Sequence, residues 1–426
     1  MNGPQSKVGG LSGVRIGWFA RLAGAWLLSA CGATVDPLGS VPPGAAPDDA
    51  PAFDSGSLSP LVGPASYPNP LRDELGKSDA EIAGKLDELF EQLFHGDPAS
   101  QAIYFTVGDD QAYIQDVFHG DTRSEGMGLG MLIALELDRR DEHDRLWRFA
   151  AEGMRYREGP NRGYLRSTCM DGPCADPFGQ QVLATALLFA HGRWGSRTGD
   201  IDYGAEALAL LHAMRHRPSD GADVTAMIDA TTQLPVDEPS GEGARRTRPA
   251  NVMPAFYELW AQATADASWV DVADAGRELL QAAAHPTSGL WPTRAEFDGS
   301  AVPGSDTFMP DGYRVLLHAG LDHAWFDASP WYVEESNRLV DFFTDQGLEV
   351  YGSSYELDGS ACIGCGRNMA LVAMNGVSAL AATRAERIAF FEAVWDLELT
   401  EGQFRYYDGL LHLLSLLVLG GQLRVY

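Results

Sequence analysis

The 426-residue sequence is short of positive charge, with 31 Lys plus Arg against 59 Asp plus Glu and a formal net charge of −28. A surface this acidic repels phosphate backbones and argues against a nucleic-acid partner, while neutral polymers such as polysaccharides stay open. Long apolar runs are missing too. The stretch "LAGAWLLSA" is too short to span a bilayer as a mature helix. There is no G-x-S-x-G elbow, Walker A loop, G-x-G-x-x-G turn or H-E-x-x-H helix, which sets aside several standard hydrolase, nucleotide and metal chemistries. Strand signals are few and short, such as "LEVYGSSYEL". No repeat of fixed period is present, which argues against a solenoid.

What is present begins with a targeting pattern. Lys7, Arg15 and Arg21 precede the short apolar run, and Leu28, Ser29, Ala30 and Cys31 follow the order of a bacterial lipobox. Residues 1–30 are therefore expected to be a lipoprotein signal peptide, with Cys31 acylated. Residues 31–68 are rich in Pro, Gly, Ser and Asp without a periodic apolar face, the composition of a tether. The expected product is an exported, monomeric protein, held at the outer membrane or in the periplasm or cell surface only through its lipid. Cys169 with Cys174 and Cys362 with Cys365 are sequence-local pairs, expected in an exported chain to be disulfides. A shared zinc site is the rival reading. No cofactor or resident metal is expected; His212 and His216 have helical metal-ligand spacing but read more simply as a capping or solvent-facing pair.

Residues 69–426 read as one domain dominated by helices. In "KSDAEIAGKLDELFEQLFHGD", Ser78 and Glu81 are in capping-box register, an apolar stripe follows, and Gly96 ends it. Comparable stretches recur near 125–139, 141–156, 179–194, 203–216, 250–266, 270–284, 311–324, 331–347, 369–383, 385–397 and 407–419. About twelve helices can form a bundle, a solenoid or a closed ring of hairpins. Gly126, Gly128 and Gly130 alternate in one helix, each at a cost of about 1 kcal/mol relative to Ala. That cost suits an inner helix of a double ring, crowded on every side, with long loops gathered on one rim.

Glu125 opens that glycine-bearing helix. A carboxylate in a first turn is stabilised by the helix dipole and free N–H groups, so an ordinary structural charge is one reading. A general acid is the other, and needs enough burial to raise its pKa. On residue types alone the two stay level.

The stretch "DTRSEGMGLGMLIALELDRRDEHDRLWRFA" resembles the signature of family 8 of the glycoside hydrolases, and within it the reducing-end xylose-releasing exo-oligoxylanases. Collinear blocks carry the likeness from about residue 70 to the last residue, among them "YPNPLRDELGKSDAEI", "ATALLFAHGRWG", "MPAFYELWA" and "YYDGLLHLLSLLVLGGQLRV". The resemblance implies an all-α, (α/α)6 barrel of six inner and six outer helices. It also implies inverting cleavage of β-1,4 glycans, xylan-type oligosaccharides favoured, with Glu125 as the general acid.

Other site positions depart from the family pattern. Where the family commonly reads D-P-S-Y-H-L-P-A-F the chain has "RPANVMPAF", which sets Arg248 at the base Asp and Asn251 and Val252 at the Tyr and His. Phe178 falls on a sugar-holding Asp, with Asp176 two residues away; Leu129 falls on a Tyr, and "PTRA" replaces P-D-Y-A. An Arg cannot deprotonate water. A relocated base is therefore expected from Asp237, Glu238 or Glu242, with Arg248, Asn251, Asp176 and Asp311 contacting substrate. The alternative is a barrel that binds a glycan or partner protein without catalysis.

Overall fold

The structure is a computed structural model and describes residues 52–169, 172–196, 201–217 and 223–426. The expected signal peptide, Cys31, most of the tether and the Cys169 side chain, hence the Cys169–Cys174 pairing, lie outside the described residues. Thirteen α-helices are present among them. A short α1 (Pro70–Asp73) precedes twelve that alternate in character. α3 (Ser124–Glu136), α5 (Pro177–Trp194), α7 (Pro254–Thr264), α9 (Tyr313–Phe326), α11 (Met369–Ser378) and α13 (Arg405–Leu419) are apolar on most sides. All thirteen residues of α3 are buried. A helix without a polar face must be surrounded by protein.

These six form the inner ring. Each packs against the next, and α13 returns to α3, which closes it. α4 (Arg140–Phe149), α6 (Tyr203–Arg215), α8 (Ser268–Ala283), α10 (Trp331–Gln346) and α12 (Arg387–Trp395) each pack on the inner helix before them, and α2 (Asp79–His95) packs on α13. The chain therefore folds as an (α/α)6 barrel. Connections from inner to outer helix are short, whereas those leading into the inner helices are long and gather at the inner-helix N-termini.

Local chemistry sets the boundaries. Ser78 and Glu81 make the reciprocal capping box that starts α2. Asp176 caps α5, accepting from the Phe178 and Gly179 amides, with Pro177 in the first turn. Pro254 and Pro310 push the starts of α7 and α9 beyond the periodic pattern, leaving one-turn 3-10 segments at Pro249–Asn251 and Pro310–Gly312. Beyond Phe149, α4 continues as a π turn, Ala150–Met154.

Two glycines make close approaches possible. A Cβ on Gly126 would stand 2.5 Å from Tyr406 Cε2, and one on Gly179 2.5 Å from the Glu125 backbone nitrogen. α3 thus sits tightly between α13 and α5, which fixes where Glu125 emerges.

Three small sheets decorate the long loops. β1 (Tyr104–Val107) pairs with β2 (Gln111–Ile114), β3 (Arg166–Cys169) with β4 (Gly172–Ala175), and β6 (Ser354–Glu356) lies between β5 (Thr307–Phe308) and β7 (Cys362–Gly364). All pairings are antiparallel. Of the strand expected over 348–357, only Ser354–Glu356 forms one. Cys362 is bonded to Cys365 at the β7 end. Residues 52–68, read from composition as tether, instead lie along the barrel. Ser59 donates to the Ala263 carbonyl, Val62 to Gln262, and Tyr67 accepts from the Val425 amide.

Candidate active site

The inner-helix N-termini and the loops before them surround a cleft of about 400 Å³. Arg123 and Glu125 enter from the start of α3, Ser167 and Thr168 from β3, Asp176 from the cap of α5, and Glu238 and Arg248 from the loop before α7. Thr293, Arg294, Met309, Pro310, Asp311 and Arg314 complete it from the segment leading into α9.

Glu125 is nearly buried. Its Oε1 accepts a hydrogen bond from Arg314 Nη1. Burial raises its pKa above the ordinary carboxylate range; Arg314 opposes this, and the nearby Asp176 and Asp311 add to it. Desolvation therefore outweighs both the helix N-terminus and the guanidinium, so this carboxyl keeps its proton to higher pH.

Asp311 has the opposite environment. Its side chain is 39% exposed. Oδ1 lies 3.1 Å from Arg314 Nη2 and Oδ2 2.6 Å from Arg248 Nη1. Burial alone would raise its pKa, but Arg314 and Arg248 overcome that and hold it below the usual range. A single guanidinium, Arg314, thus joins two carboxyls whose proton affinities are driven apart. Arg314 is itself held from below, its guanidinium carbon 4.2 Å from the centroid of the buried Phe178 ring. His318 also lies in this layer. Burial and Arg314 push its pKa down to about 3, so it stays neutral and leaves the cationic role to Arg314.

The residues expected to supply a base fall into three environments. Asp237 is 1% exposed and clamped by three guanidiniums: Arg248 Nη2 at 2.7 Å, Arg294 Nε at 2.7 Å and Arg246 Nε at 3.3 Å. A carboxylate so enclosed has no room for the attacking water. Glu242 is 79% exposed, pairs with Arg245 and is absent from the cleft lining. Glu238 does line the cleft; burial and Asp237 raise its pKa, against Arg248 and Arg294. Of the three acids expected at 237–242, Glu238 is therefore the one that reaches the cleft.

Of the expected substrate contacts, Arg248, Asp176 and Asp311 line the cleft. Asn251 does not. It is buried behind the wall, where its Nδ2 donates to the Val236 and Asp237 carbonyls and steadies the Asp237 loop. Asp176 reaches the cleft while capping α5, so its position is fixed by the helix it starts. Sequence reasoning does not single out Arg314 or Arg123. Their signal is local: "DGYR" places Asp311 and Arg314 three apart at a helix start, and "DTRSE" places Arg123 beside the acid. Arg123 is occupied by a two-pronged pair with Asp121 at 2.8 and 3.1 Å. His212 and His216 lie away from this lining, their rings stacked 4.3 Å apart at the end of α6.

A closed double ring of helices with two carboxyls of opposite environment in a cleft at one rim fits the class of a barrel glycosidase. Residues 114–421 match the family described as glycosyl hydrolases family 8. The reducing-end xylose-releasing exo-oligoxylanase Rex8A of Paenibacillus barcinonensis is 33% identical over 395 residues, covering 88% of this chain and 98% of that protein. The corresponding enzyme of Halalkalibacterium halodurans is 35% identical, covering 84% and 94%. Among solved structures, a GH8 xylobiose complex from Teredinibacter turnerae superposes with a TM-score of 0.80 at 33% identity, over 84% of this chain and 98% of that one. Rex8A of Paenibacillus barcinonensis complexed with xylose gives 0.79 at 35% identity, over 85% and 98%. The chain belongs to family 8 of the glycosyl hydrolases, and its class is that of an O-glycosyl hydrolase acting on β-glycans.

Proposed function

We propose that the chain hydrolyses β-1,4-linked xylo-oligosaccharides with inversion, Glu125 serving as general acid and Asp311 as the base that activates water. The observation that carries this reading is the shared guanidinium. Arg314 binds both carboxyls, one near-buried with its pKa raised and the other water-accessible with its pKa lowered. Environments that push paired titratable groups apart assign the acid and the base. The intervening guanidinium keeps the carboxyls from touching, and inversion needs a separation of about 6.5–9.5 Å to admit a water. Each Asp311 oxygen retains a lone pair beyond its ion pair, so the carboxylate can accept a proton from a water on its exposed side. Arg248 has a positioning role, since it spans Asp311 and the buried Asp237. The relatives named above support xylo-oligosaccharides as the substrate class.

The pH dependence tests this reading on xylo-oligosaccharides. Asp311 must be ionised, so kcat/KM rises as pH climbs through a value below the ordinary carboxylate range. Glu125 must be protonated, so kcat/KM falls as pH climbs through a value above that range. The expected profile is a bell whose alkaline limb belongs to Glu125. No release of reducing sugar at any pH would contradict the reading and favour a non-catalytic glycan-binding barrel.

A further inference from the structure

We infer that the cleft selects β-linked oligosaccharides carrying a carboxylate, a uronic acid unit, through the open guanidinium fork of Arg294; this rests on the glycosidase reading above. Three arginines converge on one buried acid. Arg246, Arg248 and Arg294 all meet Asp237, whose single charge cannot neutralise them. Arg248 finds a second partner in Asp311, which Arg314 already engages. Four arginines, Arg123, Arg248, Arg294 and Arg314, face four carboxyls, Glu125, Asp176, Glu238 and Asp311, along the lining, so the cleft is not negative although the whole chain carries a net −28.

Arg294 is the arginine of this set with donors to spare. It spends only its Nε, on Asp237 at 2.7 Å, among the hydrogen bonds and ion pairs of the described residues. Its side chain lines the cleft and is partly exposed, and neither Nη is among the buried polar atoms left without a partner. The two Nη groups thus stay in water. A buried carboxylate behind the guanidinium fixes its plane, which lowers the entropy lost when the fork closes on a ligand. Planar, two-pronged donors match a carboxylate. A neutral pyranose offers no such group, and it would ordinarily find an aromatic face to lie against. Among the described residues, none of the side chains lining the cleft is aromatic. The acidic outer surface does not forbid an anionic ligand, because its repulsion is screened within about 8–10 Å at physiological salt while the fork acts at contact.

The test compares ligands on the Glu125→Gln chain, which reads binding apart from turnover, and hydrolysis on the unaltered chain. The probes are xylotriose, xylotriose bearing a pendent glucuronic acid, a β-1,4-linked diglucuronate and free glucuronate. Calorimetry is expected to show an acidic oligosaccharide binding about 10- to 100-fold tighter than xylotriose, the worth of a charge-assisted hydrogen bond. This advantage should shrink as salt is raised. A pendent or a main-chain source of the carboxylate is told by which of the two acidic oligosaccharides binds. Adding Arg294→Gln should remove most of the advantage, and Arg294→Lys should keep part of it, which separates charge recognition from a folding defect. Equal affinity for neutral and acidic ligands, no binding of either acidic oligosaccharide, or an advantage unchanged by Arg294→Gln would overturn the inference. Selective binding lost with Arg294, but no cleavage of any probe by the unaltered chain, would support the carboxylate site and overturn the hydrolase reading instead.

Discussion

Glu125→Gln is expected to lower kcat on a β-1,4-linked oligosaccharide by about 10²–10⁴-fold, the contribution of a positioned general acid. The amide has the shape of the acid, and its carbonyl can still accept from Arg314, so the ion-pair chain through Asp311 and Arg248 keeps its frame. What the amide lacks is a proton to give to the leaving oxygen. KM should change little, and the alkaline limb of the pH profile should vanish, because the group that loses its proton there is gone. A structural charge at the start of α3 would behave differently. Its removal would shift stability modestly and leave kcat and the pH profile in place. Steady-state kinetics across pH, with thermal unfolding as the control for folding, distinguishes the two.

Asp311→Asn is expected to cost kcat by a similar factor and to remove the acid limb. An amide nitrogen cannot take a proton from water, and the attacking nucleophile is then neutral water without a base. Two arginines, Arg248 and Arg314, lose a partner at once. Both border the cleft, so water can partly solvate them and the fold should survive. If residues 237–242 held the base instead, Asp311→Asn would raise KM through lost contacts and leave the acid limb standing. Burst-free kinetics on a substrate with an activated leaving group sharpens the comparison. Such a substrate relieves the need for Glu125 but not for Asp311, so it should rescue Glu125→Gln and not Asp311→Asn.

Much of the fold can be read from the residues, because inner and outer helices differ in pattern. The capped apolar stripe of α2 and the largely apolar α3 and α13 announce an outer helix and two inner ones. The alternate glycines of α3 mark close approaches, Gly126 to α13, Gly128 to α5 and Gly130 to Ile114 of β2. Helix starts are displaced where Pro254 and Pro310 interrupt the pattern, and the β1–β2 and β3–β4 hairpins escape notice because strands of four residues carry little periodicity. Within the site, Glu125 stands out through its sequence surroundings. Asp311 does not stand out as a base, since its proposed role depends on two arginines, one 63 residues away in sequence. Aligning Arg248 with a base draws attention to its sequence neighbours at 237–242, whereas its guanidinium reaches across the cleft to Asp311. Nor does residue type reveal that Asp237 is enclosed and Glu242 exposed. Both are acids on one loop, and only packing separates them.

Glu125 and Asp311 are proposed to act from opposite sides of the scissile bond with a water between them. The measurement that meets this most directly is proton NMR of the anomeric signals during the first minutes of xylo-oligosaccharide hydrolysis, before the sugars mutarotate. Inversion of a β linkage predicts that the newly formed reducing end is seen first as the α-anomer and only later equilibrates, and that Asp311→Asn produces no such signal. First emergence of the β-anomer would mean retention through a covalent intermediate, and would contradict the assignment of Asp311 as a water-activating base.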